Sequence, residues 1–102
     1  MAGGDYGSFR DFYPFYLSEH SKSGTRRLHF VGTLLVLLTL GYALAAQQWR
    51  LLALLPIFGY GFAWVAHFAV ERNRPATFRY PLYSLAGDFR MFADMLRGRV
   101  GF

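Results

Sequence analysis

The chain contains no cysteine. Disulfide frameworks, thiolate metal sites, iron–sulfur clusters and cysteine nucleophiles are thereby excluded, and any metal site has to be built from histidine, carboxylate and oxygen donors. Charge is scarce as well: Asp, Glu, Lys and Arg make up only 17% of the residues, against 54% hydrophobic and 20% aromatic. A soluble domain of 102 residues needs more polar surface than that. Acidic residues are the rarest charged group, 6 against 11 Lys and Arg, for a net charge of +5. A basic balance suits nucleic acid or a membrane surface. The long apolar runs decide for the lipid bilayer, and no nucleic-acid partner is expected. The opening, MAGGDYGSFRDFY, lacks a basic region followed by an apolar core, so no cleaved signal peptide is expected.

What is present reads as one helical unit, residues 1–102. Residues 1–10 are Gly-rich and expected to fray. Asp11 is a candidate N-cap for a short helix over 12–20, with Pro14 in its first turn and Tyr13, Tyr16 and His20 on one face. Ser21-Lys22-Ser23-Gly24 breaks it. Apolar runs then cover 28–46 and 51–71, each close to the ~20 residues a bilayer requires. Only Gln47-Gln48-Trp49-Arg50 separates them, which predicts a tight antiparallel hairpin. Pro56 and Gly59-Tyr60-Gly61 predict a bend in the second span. After Pro75 an amphipathic helix is expected over 82–97, capped by Ser84 and ended by Gly98. Leu85, Phe89, Phe92 and Leu96 form its apolar face, with Arg90, Asp94 and Arg97 opposite.

The expected fold is therefore an all-α integral membrane protein. It is a two-transmembrane helical hairpin with a short N-terminal helix and a C-terminal amphipathic helix lying in the interface. Basic residues flank the hairpin on both sides, and only Arg50 lies in its turn. The positive-inside rule then places both termini in the cytoplasm, at the inner membrane of a bacterium or the endoplasmic reticulum of a eukaryote. Two spans bury little surface against each other, which is compatible with a homo-oligomer.

The sequence has three histidines, too few for the many-histidine di-iron clusters of membrane desaturases. Folding the hairpin between residues 48 and 49 sets His29 opposite Phe68, beside His67. The break at Gly24 lets the first helix fold back and carry His20 to the same corner. Glu71 follows His67 at i+4 and is expected to share its face. Any one of these histidines alone reads as an interfacial side chain with a single hydrogen bond. Three converging from separate segments read as a metal site, because ionisable groups at membrane depth are costly. Imidazoles with open positions suit Fe(II), or Zn(II) as the redox-silent alternative. A haem held between His29 and His67, and a small non-catalytic membrane interaction protein, remain alternatives at this point.

Two blocks carry a resemblance. FYPFYLSEHSKSGTRRLHFVGT and the later His67-x3-Glu71-x2-Arg74-Pro75-Ala76 resemble the small membrane family typified by the fungal 2-hydroxy fatty acid dioxygenase of phytosphingosine degradation. Ala66 and Val70 stand where that family has Gly and Phe. The resemblance implies an Fe(II)-dependent oxidoreductase of lipid metabolism that shortens a 2-hydroxy fatty acid by one carbon with O2, the α-oxidation reaction. By position it implies His20, His29 and His67 as metal ligands essential for catalysis, and Glu71 as a fourth ligand or as the group orienting His67. Arg26, Arg74 and Tyr16 are the candidate substrate-binding residues, the arginines for the carboxylate. The acyl chain is expected to stay in lipid while the head enters at the membrane edge.

Overall fold

The computed structural model describes residues 6–75 and 78–102, and every regular element among them is helical. The first five residues, part of the stretch expected to fray, and Ala76, which closes the second block, lie outside the described residues. Helix α1 spans Phe9–Ser18. Its cap is the Ser8 hydroxyl, which accepts from the Asp11 N–H at 3.2 Å, so the helix starts ahead of the expected cap, Asp11. Asp11 instead sits in the first turn, where its charge complements the helix dipole. The earlier start also moves Pro14 from the first turn into the helix interior. The helix ends before His20, which occupies the turn that follows.

The first apolar run forms α2, Ser23–Ala45, starting well ahead of its apolar residues. Gln47, at φ 53°, turns the chain. The second run opens as a 3-10 segment, Trp49–Ala53, continues as α3, Leu54–Val65, and closes in a π turn, Ala66–Glu71. Each span covers 23 residues and is apolar enough to cross a membrane. The departures from α geometry fall at the two ends of the second span rather than at Gly59–Gly61. Pro56 lies in the first turn of α3, where a missing N–H leaves no bond broken. The two spans approach closely at Gly32, where a Cβ would meet both the Phe58 carbonyl oxygen and Phe62 Cβ at 2.9 Å. Only glycine permits that contact.

Helix α4, Pro81–Leu96, opens on its proline, which is preorganised for a first turn. Ser84, expected to be its cap, lies inside the helix and is buried. The apolar stripe expected to face the membrane interface is not the face packed on the protein. Ser84, Gly87, Met91, Asp94 and Met95 are buried, while Leu85, Phe89 and Leu96 are exposed. Asp94 is drawn inward because the Tyr13 hydroxyl donates to it at 2.8 Å and Arg90 Nε at 3.1 Å. Burial raises its affinity for a proton, but these donors outweigh burial and hold its carboxyl below the ordinary range. Phe12 and Tyr16 of α1 and Met91 and Met95 of α4 form the core between the two helices. Gly87 lets them meet: a Cβ there would stand 2.7 Å from the Tyr16 ring. That close approach delivers the next residue, Asp88, to the corner where the histidines lie.

Candidate metal centre

Each histidine comes from a different piece of backbone. His20 sits in the turn after α1, His29 in the second turn of α2, and His67 in the π turn. A π turn widens the helix by one residue per turn and often marks a functional position. Here the Asn73 N–H reaches back to the His67 carbonyl at 2.9 Å, and Arg72 closes the turn in the left-handed region at φ 61°. A side chain is strained there. The result is that Asn73 folds back beneath His67.

The three rings are buried and meet at their Nε2 atoms. His29 Nε2 lies 3.1 Å from His20 Nε2 and 3.2 Å from His67 Nε2. The candidate ligand atoms all lie within 4.8 Å of one another. Each Nδ1 faces an oxygen. His20 Nδ1 donates to the Tyr16 carbonyl at 2.6 Å, and His67 Nδ1 donates to Asn73 Oδ1 at 2.7 Å. His29 Nδ1 lies 3.4 Å from Asp88 Oδ1. Asn73 is fixed in turn by donating through Nδ2 to the Glu19 carbonyl at 3.0 Å. Asp88 accepts from the Tyr16 hydroxyl at 2.5 Å.

The two hydrogen-bonded acceptors place the proton on Nδ1 of His20 and His67. The Nε2 lone pairs of His20 and His67 then both face His29 Nε2, which can offer a proton to only one of them, whereas a cation among the three would satisfy all. Ligand nitrogens at about 2.1 Å from one ion stand roughly 3.0–3.4 Å apart, the spacing found for the two pairs that include His29. The cavity they share with Tyr16, Ser84 and Asp88 has a volume of about 10 Å³, room for one atom-sized occupant. Burial, reinforced by the other two imidazoles, pushes His20 well below its ordinary pKa and keeps it neutral, as a ligand must be. Burial and the adjacent Asp88 push the Tyr16 phenol well above its range, so it stays a donor to that carboxylate. The donor set fits a metal ion. It does not fit a haem, since His29 and His67 are too close to straddle a flat macrocycle.

The remaining candidates are placed as follows. Glu71 lies outside the trio and clasps the start of α2. Its Oε1 accepts from the Lys22 N–H at 3.0 Å and the Thr25 hydroxyl at 2.7 Å. Its Oε2 accepts from the Ser21 N–H at 3.2 Å and from the Ser21 hydroxyl. Glu71 turns its carboxylate to the start of α2, and the left-handed Arg72 brings Asn73 beside His67 instead. Arg26 donates to the carbonyls of His20, Ser21 and Gly101 at 3.0, 2.8 and 2.8 Å. Tyr16 lines the cavity and stacks on His20 at 4.1 Å, with its hydroxyl turned to Asp88. Arg74 is exposed, lies over the Phe78 ring, and lines an open cleft that shares Pro75 with the cavity.

Three residues of the centre were not expected there from sequence: Asn73, Asp88 and Ser84. The Ser84 hydroxyl is buried against the cavity and has no hydrogen-bond partner among the described residues. Ser84, Asp88 and Met91 do follow helical spacing, and reading that small-and-polar stripe as the inward one finds two of the three. Among known proteins, a family model described as Mpo1-like, 2-hydroxy-palmitic acid dioxygenase Mpo1-like, matches residues 6–100. No curated protein and no solved structure matches the chain.

Proposed function

The chain belongs to the Mpo1-like family, and from that premise and the histidine geometry we propose that it is an Fe(II)-dependent membrane dioxygenase shortening 2-hydroxy fatty acids by one carbon. The observation that carries this reading is the convergence of three buried Nε2 atoms, with Nδ1 of His20 and His67 donating to oxygen and Nδ1 of His29 beside Asp88. Bound there, Fe(II) would supply the open positions and redox chemistry for cleaving the C1–C2 bond with O2 as oxidant. The protein's own part is to hold and to exclude. Asn73, Asp88 and the Tyr16 carbonyl fix the imidazoles, an arrangement that raises ligand basicity. Ser84 offers its free hydroxyl to the substrate head. Arg74, across Pro75, draws the carboxylate toward the cavity. Zn(II) is the alternative occupant, without redox chemistry.

The chain sits in a membrane with both termini on the cytoplasmic side. This rests on two apolar spans with exposed outer faces, such as Leu38 at 60% and Ile57 at 61%, and on the basic residues at the histidine end. The test is anaerobic reconstitution of purified protein with Fe(II), then oxygen uptake with 2-hydroxypalmitate. Stoichiometric iron, uptake that requires the 2-hydroxyl, and loss of both in His67→Ala are expected. Protein that retains no iron, or retains it without oxygen uptake, overturns the proposal.

A further inference from the structure

Beside the histidine cavity an open groove of about 330 Å³ runs along the three long helices. Its walls are Val36 and Leu40 of α2, Leu55 and Gly59 of α3, and Leu85 and Phe89 of α4. At one end it is lined by His29, Tyr60 and Asp88, which also line the cavity. The two are therefore one depression, polar at the histidines and apolar beyond. From His29 to Leu40 the helix rises about 16 Å, the length of an extended chain of roughly a dozen carbons. Gly59 keeps the floor clear. Unlike Gly32, it is not required for helix approach, since a Cβ there would meet only Val36 Cγ2 at an ordinary 3.6 Å.

We infer that this groove holds the acyl chain of the 2-hydroxy acid whose head lies at the histidines, and that its depth sets chain-length preference. The inference rests on the reading of the site given above and replaces the expectation that the chain stays in bulk lipid. It also explains why α4 leaves Leu85 and Phe89 uncovered: they are walls of a binding groove.

The test uses the full chain in lipid nanodiscs and 2-hydroxypalmitate carrying a diazirine at its methyl end. Irradiation should label peptides containing Leu40 or Leu55, and unlabelled 2-hydroxypalmitate should compete. Each buried methylene adds roughly three- to fourfold in affinity. Gly59→Phe, which fills the groove midway, should therefore lower the preference for 2-hydroxypalmitate over 2-hydroxyhexanoate at least about tenfold. Leu55→Trp, at the far end, should penalise only the longest chains, and Leu38→Phe on the outer face should leave the preference as it is. Label confined to outer-face residues such as Leu38 and Leu44 overturns the groove. So does equal, uncompeted labelling by a diazirine-tailed phosphatidylcholine, or a preference unmoved in both groove variants. Groove labelling without oxygen uptake refutes the dioxygenase reading and leaves the groove standing. Oxygen uptake with label outside it refutes the groove alone.

Discussion

Asn73 does two jobs with one amide. Its oxygen fixes the His67 ring and its nitrogen ties that ring's support to the Glu19 carbonyl in the turn that carries His20. Two of the three histidine-bearing segments are thus aligned by a residue outside the trio. Removing such a partner commonly lowers metal affinity 10–100-fold, roughly. Asn73→Ala should show a loss of about that size in a chelator-competition titration with Fe(II), with helix content unchanged by circular dichroism. Asn73→Asp keeps the acceptor for His67 and loses only the donor, so it should recover part of the affinity. An Asn73→Ala protein that binds iron as tightly as wild type would remove Asn73 from the site. The histidines were legible in the sequence because a hairpin turn and a Gly24 break are local signals that fix which residues share a depth. Asn73 was not. It lies six residues beyond His67, and only a π turn returns it to that ring.

At the scale of elements, Glu71 works at the join between the two spans. Its carboxylate takes two backbone N–H groups and two hydroxyls around the start of α2, where no side chain of that helix provides a cap. Glu71 therefore joins the end of the second span to the start of the first and sets the relative height of His67 and His29. Neutralising it weakens four charge-assisted bonds in a partly exposed setting, for a cost of about 1–2 kcal/mol. Glu71→Gln should unfold at lower temperature in detergent while its Fe(II) affinity stays within a few-fold of wild type. A loss of affinity as large as that of a histidine variant would restore Glu71 to the coordination shell. The α4 helix shows the other limit of sequence reading. Its large apolar residues, Leu85, Phe89 and Leu96, stay exposed as in an interfacial helix, while the packed face is a small and polar stripe that no apolar pattern marks, because Gly87 admits the Tyr16 ring and Asp94 finds Tyr13. Shape complementarity at Gly87 decides this face even though the Ser84 hydroxyl and Asp94 Oδ1 are buried there without a partner among the described residues.

Over the whole molecule, the aromatic core between α1 and α4 and the histidine corner lie at one end, and two apolar helices extend from them. The pairing of those helices was legible because composition and a short turn leave little choice. The tilt and close contact at Gly32 were not, since they depend on which backbone a missing Cβ admits. This asymmetry has a consequence for orientation. Lys22, Arg26, Arg27, Arg72 and Arg74 all gather at the histidine end, and the turn has Arg50 alone. Arginines retained on the cytoplasmic side would hold that end there, so a substrate head would be handled at the cytoplasmic edge. The lack of cysteine makes the point directly measurable, since any introduced thiol is unique. Gln48 and Phe102 are both exposed, one in the turn and one at the C-terminus. In sealed vesicles of known sidedness, Gln48→Cys should react with a membrane-impermeant maleimide from the non-cytoplasmic face only, and Phe102→Cys from the cytoplasmic face only. Both thiols reacting from one face would mean that the hairpin does not span. The reverse pattern would put the histidines on the opposite side, where charge distribution gives no reason for them to be.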